Sequence, residues 1–348
     1  MASIIGRRTI VCALGTAPFA ASRLARAEGK AGTAVYPVAV PGYQVMFVAE
    51  ARGFLKDEGY DFKLIQGGSG TKTRAIMAAG EADFMIADIL HCLQLNNRGR
   101  PTRSVNAVDV RSPSSRWVIR KDLADQGIDT IQKFVAWKRP GGARPIFGIS
   151  SLGGTAHLWA HYFMEKYGFE HQVTWVPVGN VDTMLGSLKT RQIDMLGTTV
   201  SLVTDAEKNG WGKFFFDASE EGNWNKFVGG SVPVNANMCL QTTIEKDPAK
   251  VQAYANATYR AVQWIKTSSP DQILGVIEPY VGSTSRDANL LEIAAVKEVT
   301  DFNGIIDPEA FARGAKMWFR EVTGMKPVKL EEAFDPTFVR NAHAKYRG

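Results

Sequence analysis

Short apolar segments alternate with helix-like segments along most of this chain, and the clearest alternation spans residues 53–90. Residues 61–66 and 83–87 are apolar runs with the length expected for buried parallel strands. A helix-like segment with a spaced apolar face separates the two runs, and another follows the second run. This alternation predicts an α/β architecture with a largely parallel sheet.

Polar residues stand where each of these strands passes into a helix. The glycine-rich turn at residues 67–71 leads into a helix that Ser69 or Thr71 can cap, and Asp88 can cap the helix after the second run. Two helix N-termini should then lie at the same edge of one sheet. Exposed N–H groups and the positive end of the helix dipole make such an edge a favourable anion site.

The second half of the chain repeats this theme. Residues 146–149 predict a strand, residues 150–155 form a second glycine turn, and residues 156–167 are amphipathic. The segment 181–203 then follows the pattern of 73–90, with an aspartate before each apolar run. A turn-rich break near residue 112 and an extended segment at 231–242 are candidate crossovers, so the pattern predicts two lobes of similar construction.

The remaining predicted elements fill out these two lobes. Further strands are expected at residues 34–40, 104–110, 116–120, 173–178 and 213–216, with a loop at 222–230. Helices are expected at residues 45–52, 88–97 and 131–137, and the chain is helical after Asp247. Pro248, Pro270, Pro308 and Pro336 mark helix starts, where a missing N–H has no cost.

The first 27 residues have a different character. Arg7 and Arg8 precede a mildly apolar segment of about 12 residues, which is too short to span a bilayer, and small residues allow cleavage near Ala27. This predicts a twin-arginine-like export signal and a periplasmic location, although ordinary secretory leaders can also carry two arginines. Without the leader, 37 basic residues face 35 acidic ones, which argues against a nucleic-acid partner.

Motifs for catalysis, nucleotides and metals are weak. The turn at 67–73 lacks both the P-loop spacing and the third glycine of a dinucleotide fingerprint. His157, His161 and Glu165 share a helical stripe without the His-Glu-x-x-His pattern, so a surface or interlobe stripe is the simpler interpretation than a metal site. His157 is either a ligand contact or a structural residue. We therefore predict no cofactor, no metal and no catalytic residue.

Cys92 and Cys239 are the two cysteines beyond the leader. They are either two buried thiols or a single disulfide in an oxidising compartment, and two cysteines do not make a disulfide framework.

Several segments together resemble the nitrate, sulfonate and taurine type of periplasmic solute-binding proteins of ABC transporters. The resemblance rests on the leader, the helix end 51–55, the turn 67–71, the step 79–83 and the turn 151–157. It covers roughly residues 34–320. It implies a type II periplasmic binding fold: two lobes, each a mixed sheet flanked by helices, joined by two crossover strands. Lobe 1 would comprise residues 34–112 and 233–348, and lobe 2 residues 113–232.

The resemblance also implies a ligand site between the lobes. Carried over position by position, the implied ligand-binding residues are Tyr43, Gln44, Ser69, Gly70, Thr71, Asp88, Gly154, Thr155, His157, Thr199 and Asn235, with Asn237 as an alternative to the last. Backbone N–H groups and hydroxyls would hold the negative group of a ligand. Asp88 would repel that group unless it caps its own helix or meets a positive or hydroxyl group, which disfavours a simple oxyanion such as nitrate.

The implied function is capture of a small organic anion, such as a sulfonate or carboxylate, by a monomer that delivers it to an ABC transporter permease. The alternative is an enzyme on the same fold, similar to a thiamin-pyrimidine synthase or an aromatic desulfinase. The desulfinase type needs a cysteine in the turn after the first strand, where residues 40–43 have none, and no cysteine-rich run of the synthase type is present. We therefore predict a binding protein rather than an enzyme.

Overall fold

The computed structural model describes residues 30–346. The predicted export signal and its cleavage near Ala27 therefore lie outside the described residues. Within the described range the chain forms two five-stranded mixed sheets flanked by helices, which confirms the predicted fold class. No helix in this range combines the length and the apolar character needed to cross a bilayer.

The first sheet has the strand order β2-β1-β3-β10-β4. Its strands are β1 (Lys30–Tyr36), β2 (Tyr60–Gln66), β3 (Phe84–Asp88), β4 (Thr102–Ala107) and β10 (Asn235–Leu240). β1 runs parallel to β2 and β3, whereas β10 is antiparallel to both β3 and β4. The first strand ends earlier than the pattern suggested, because the apolar residues after Tyr36 turn into the wall of the cleft. We call this sheet and the helices packed on it lobe 1.

The second sheet has the strand order β7-β6-β8-β5-β9. Its strands are β5 (Arg116–Arg120), β6 (Ile146–Ile149), β7 (Thr174–Pro177), β8 (Met195–Thr198) and β9 (Gly212–Asp217). β6 is parallel to β7 and β8, and β5 is antiparallel to β8 and β9. The two sheets thus have the same arrangement: three parallel strands, then one antiparallel strand (β10 or β5), then an edge strand (β4 or β9) antiparallel to it. We call this sheet and its helices lobe 2.

Seventeen α-helices pack around the sheets within the described residues. They are α1 (Gln44–Ala51), α2 (Phe54–Asp57), α3 (Gly70–Ala79), α4 (Leu90–Asn97), α5 (Lys121–Asp125), α6 (Ile131–Ala136), α7 (Thr155–Lys166), α8 (Val181–Lys189), α9 (Val200–Lys208), α10 (Glu221–Val228), α11 (Gln241–Lys246), α12 (Pro248–Thr267), α13 (Pro270–Ile277), α14 (Arg286–Val299), α15 (Pro308–Trp318), α16 (Leu330–Ala333) and α17 (Thr337–Tyr346). Pro248, Pro270 and Pro308 occupy first helical positions, as predicted.

The chain passes between the sheets twice, between β4 and β5 and between β9 and β10. The residue boundaries given above for the two lobes remain a prediction. The predicted loop at 222–230 is wrong, because α10 occupies most of it. The Glu220 side chain accepts hydrogen bonds from the N–H groups of Gly222 and Asn223 and so caps this helix.

Equivalent aspartates stabilise the two sheets at equivalent places. Asp83 accepts hydrogen bonds from the N–H and hydroxyl of Thr33, on the parallel neighbour strand. Asp194 accepts from the N–H of Ile146, again on the parallel neighbour, at 2.7 Å. Each aspartate thus forms hydrogen bonds that connect the start of a central strand to the parallel strand beside it. Cys92 and Cys239 are free and buried.

Candidate ligand-binding site

A cavity lies between the two lobes. The space open to the centres of water-sized molecules is about 70 Å³, enough for several waters or a small solute. The walls combine apolar side chains with hydroxyl, amide and carboxyl groups, drawn from both sheets. The residues that line it include Tyr43, Ser69, Gly70, Asp88, His91, Ser150, Thr155, Thr199 and Asn235.

Most of the residues carried over from the sequence resemblance lie at this cavity. Those that line it are Tyr43, Ser69, Gly70, Asp88, Thr155, Thr199 and Asn235. Four do not line it: Gln44, Thr71, Gly154 and His157. Gln44 is fully buried at the start of α1, and neither polar atom of its side chain has a hydrogen-bond partner among the described residues. Asn237, the alternative to Asn235, accepts a hydrogen bond from the Tyr254 hydroxyl within lobe 1.

The start of α3 forms one wall of the cavity. Ser69 caps this helix by accepting a hydrogen bond from the N–H of Lys72. Gly70 follows, and a Cβ at this position would lie 2.5 Å from Nε2 of His91, well inside van der Waals contact. Glycine is therefore required, since only a bare backbone fits against the imidazole.

The two glycine turns meet across the cleft. The Thr71 hydroxyl donates to the Ser151 hydroxyl at 3.1 Å, and the Gln94 amide donates to the carbonyl of Gly153 at 3.0 Å. The starts of α3 and α7 therefore lie close together at the cavity. This is the arrangement predicted from the repeated strand, turn and helix pattern.

His157 supports the second turn instead of lining the cavity. Its Nδ1 accepts a hydrogen bond from the N–H of Gly153 at 3.1 Å, and its ring packs edge-on against Trp175. Burial lowers the pKa of His157 to about 4, so the imidazole is neutral at physiological pH. Within residues 30–346 no group of three or more histidine, cysteine or acidic side chains is placed to hold a metal ion.

Asp88 caps α4 and also connects the lobes. Its Oδ1 accepts from the N–H of Leu90 at 2.7 Å, and its Oδ2 accepts from the indole N–H of Trp159, in α7 of lobe 2, at 3.2 Å. Burial raises the pKa of Asp88 to about 7, although these donors and Thr155 act in the opposite direction. The helix-capping role proposed for Asp88 is therefore present in the structure.

Two further buried carboxylates lie beside residues of the cavity wall, and no local sequence signal marks either of them. Glu292 of α14 accepts from the N–H of Gly42 at 3.1 Å and from the N–H of Ser201 at 2.9 Å, so it contacts both lobes. Asp109 accepts from the N–H and the side-chain amide of Asn235, each at 2.8 Å. Burial raises the pKa of both carboxyl groups.

Three buried acidic side chains, Asp88, Glu292 and Asp109, thus lie at the cavity or beside it. Burial raises the pKa of the Tyr43 hydroxyl, and the charges of Asp88, Glu292 and Asp109 raise it further. His91 contributes no positive charge, because burial and the neighbouring Arg74 lower its pKa to about 3. No lysine or arginine stands among the described residues that line the cavity. Positive potential at the wall of this site comes from helix N-termini, with Arg74 behind His91 at 3.2 Å.

A model of the NMT1-like family matches residues 37–276, which is more than half of the chain. The chain belongs to the NMT1-like family. The match covers both sheets except for β1 and includes every residue of the candidate site except Glu292.

The chain is also similar to known proteins and solved structures. The Bacillus subtilis (strain 168) protein YtlA, named as a binding protein, is 21% identical over 251 residues, covering 70% of this chain and 69% of YtlA. A structure from Bordetella bronchiseptica RB50 superposes with a TM-score of 0.77 at 22% identity, covering 92% of this chain and 99% of that one.

The periplasmic nitrate-binding protein NrtA from Synechocystis PCC 6803 gives a TM-score of 0.69 at 13% identity, covering 92% and 89% of the two chains. At these identities the structural likeness establishes the fold, which is that of two-lobed periplasmic binding proteins.

Proposed function

We propose that this protein is an extracytoplasmic solute-binding protein that captures a small organic anion between its lobes and delivers it to an ABC transporter. The single observation that carries this proposal is the cavity enclosed between two sheets, at which the starts of α3 and α7 meet. Membership of the NMT1-like family and the fold shared with a nitrate-binding protein support it.

The anionic group of the ligand is best placed where these two helices begin. The first N–H groups of an α-helix have no partner within the helix, and the dipole adds positive potential there. Gly70 and Thr155 provide these positions on the two lobes, and both line the cavity. A ligand that bridges them contacts both lobes at once, which favours closure.

The apolar part of the ligand faces the rest of the wall. Val40, Val181, Met184 and Leu202 line the cavity, so a small carbon skeleton finds favourable burial there. The Tyr43 hydroxyl, which has no hydrogen bond within the described residues, is available as a donor. This combination favours an organic acid over a fully hydrated inorganic ion.

Binding without chemistry is our proposal, with an enzyme on the same fold as the alternative. The turn after β1 presents Pro41, Gly42 and Tyr43, so no thiol nucleophile stands there. We further propose a periplasmic location after removal of the leader, a monomeric state, lobe boundaries near residues 112 and 233, and a permease as the protein partner.

A ligand screen tests the proposal. The mature protein is unfolded and refolded to remove carried-over ligand, and its melting temperature is then measured with alkyl sulfonates, carboxylates and pyrimidines. A saturable rise of several degrees with an organic acid, with the compound recovered unchanged, supports capture. No rise with any compound contradicts the proposal, and conversion of the bound compound favours the enzyme.

A further inference from the structure

Several helices begin at the cavity or beside it, among them α3, α4, α7, α8 and α9, and a carboxylate of the protein already neutralises two of these beginnings. At α4 the neutralising group is Asp88, which precedes the helix and accepts from the N–H of Leu90. At α9 it is Glu292, which is distant in sequence and reaches the N–H of Ser201 at 2.9 Å from another helix. Among the described residues, the starts of α3, α7 and α8 carry no carboxylate that accepts from their N–H groups, and those of α3 and α7 are the ones that meet across the cleft.

Glu292 is bound by groups that suit a negatively charged carboxylate. Its Oε1 accepts from the N–H of Gly42, and its Oε2 accepts from the N–H and the hydroxyl of Ser201. Backbone N–H groups can only donate, so both oxygens act as acceptors. The side chain is 1% exposed, and no lysine or arginine within residues 30–346 pairs with it. Burial nevertheless raises its pKa, while the donors lower it.

The charge of Glu292 acts at the cavity through its immediate neighbours. Thr199, which precedes α9 and lines the cavity, shares a hydrogen bond with the Ser201 hydroxyl, which in turn donates to the carboxylate. Tyr43 lines the opposite wall, and the carboxylate raises the pKa of its hydroxyl. A negative group on the ligand near α9 would therefore face a buried negative charge with little water between them.

We propose that Glu292 is a specificity-determining residue, which occupies the positive end of α9 with the protein's own charge and thereby restricts the ligand to one anionic group. This inference rests on the proposed function and narrows it to monoanions. Asp88 acts in the same direction at α4. Glu292 sets the charge of the accepted ligand while the starts of α3 and α7 bind the anionic group.

The test compares two probes of similar tetrahedral shape, methanesulfonate with one negative charge and sulfate with two. Dissociation constants are measured by calorimetry at pH 8 with the full mature protein. We expect wild type to bind methanesulfonate more tightly than sulfate by about tenfold or more, since a second charge meets Glu292 in a region of low dielectric. The substitution Glu292→Gln should reduce this ratio by about fivefold or more.

The control is Asp287→Asn on the same helix. Asp287 is 74% exposed and pairs with Lys208 at the surface, so its removal changes the net charge equally but leaves the ratio unchanged. A role for Glu292 in folding alone would weaken the binding of both anions in parallel. The ratio separates these two roles.

A pH series on wild type provides a second measurement if Glu292→Gln fails to fold. Both probes keep their charge from pH 8 to pH 5, whereas Asp88, whose pKa burial raises to about 7, takes up a proton, and burial raises the pKa of Glu292 and Asp109 as well. His91 stays neutral over this range, and burial keeps the Tyr43 hydroxyl protonated. The preference for methanesulfonate should therefore shrink as the pH falls.

The possible outcomes distinguish failure of the inference about Glu292 from failure of the proposed capture of anions. If wild type binds sulfate as tightly as methanesulfonate, or if the folded Glu292→Gln variant keeps the wild-type ratio, the inference is overturned and capture of an anion stands. If Glu292→Gln does not fold, a ratio that stays constant from pH 8 to pH 5 overturns it. If neither anion binds wild type at either pH, both the inference and the proposed capture of anions fail.

Discussion

Replacing Trp159 by phenylalanine tests whether a single hydrogen bond between the lobes controls closure. The indole N–H of Trp159 donates to Asp88 across the cleft at 3.2 Å, and the two residues are 1% and 2% exposed. Phenylalanine keeps an aromatic ring in the cluster with Phe163 and Trp224 but lacks the N–H. The substitution therefore removes the bond and preserves most of the packing.

The expected magnitude follows from the charge of the acceptor. A buried hydrogen bond to a charged group contributes about 1.5–3 kcal/mol. Because this bond exists only when the lobes are closed, its loss should lower the closed population by a factor of about 10–150. The dissociation constant of any ligand that requires closure should rise by the same factor.

The matched control is Trp224→Phe. The Trp224 indole also donates a hydrogen bond, to the carbonyl of Gly230 at 2.8 Å, but this partner is six residues further along the chain, just after the end of α10. Its ring lies 4.8 Å from that of Trp159. The control should lower the melting temperature slightly and leave ligand affinity within about twofold, because an interaction inside one lobe does not depend on closure.

The assay is titration calorimetry with the compound identified by the ligand screen, together with small-angle scattering of the ligand-free variants. We expect weaker binding and a larger radius of gyration for Trp159→Phe than for Trp224→Phe. Equal affinities for the two variants would refute the reasoning, since the bond to Asp88 would then contribute nothing to closure.

Three further predictions concern stability. Asp194→Ala should lower the free energy of unfolding by about 3 kcal/mol, because it removes a fully buried carboxylate that pairs with Arg120 and Arg139 and leaves the Ile146 N–H without its acceptor. Asp83→Ala, at the more exposed equivalent position, should cost about 1–2 kcal/mol. Equal losses in urea titrations would contradict this. Gly70→Ala should cost about 1–3 kcal/mol through its clash with the imidazole, whereas Gly275→Ala, which meets no heavy atom within 4 Å, should not destabilise the protein. Burial raises the pKa of Asp88 to about 7, so the folded state keeps a proton that the unfolded chain has released. The free energy of unfolding should therefore fall from pH 4 to pH 7. Asp88→Asn should flatten this fall, and an unchanged slope would argue against the buried carboxyl as its cause.

The pattern of the sequence predicted the sheets well because strand, turn and helix signals are local. The runs at 146–149 and 116–120 coincide with β6 and β5. The aspartates at 83 and 194, noted as a weak repeat, have the same structural role in the two sheets. An aspartate at the start of a central strand in both halves of the sequence thus corresponds to the same kind of hydrogen bond in both sheets.

The loop predicted at residues 222–230 shows where local signals mislead. Three glycines and an asparagine near its ends are typical of turns. The Glu220 carboxylate nevertheless caps a helix there, and this helix buries Trp224 in the core of lobe 2. A cap formed by glutamate is less common than one formed by serine or aspartate, so the helix start was missed.

The candidate site was predictable only in part. Tyr43, Gly70 and Thr155 follow strands or open helices, so their position at the sheet edge could be inferred from the pattern. Glu292 lies 250 residues from its partner Gly42. Nothing local marks a mid-helix glutamate as buried, and a tertiary contact of this range has no signature in one sequence.

His157 shows that a correctly predicted helix start can still point to the wrong contact residue. Its position in the first turn of α7 is correct, but its ring faces Trp175 and its Nδ1 binds the Gly153 N–H. On a helix, each step of one residue rotates the side chain by about 100°, so the two steps from Thr155 to His157 amount to about 200°. Thr155 therefore lines the cavity while His157 does not. A position in the first turn of a helix therefore does not decide whether a residue contacts a ligand.

The most direct test of the central claim is a crystal structure of the mature protein grown with the organic acid that raises its melting temperature most. The account predicts that the molecule lies between the lobes, with its single anionic group at Gly70 and Thr155 and its carbon skeleton against Val181 and Leu202. A molecule bound outside this cavity, or one held within a single lobe, would contradict it.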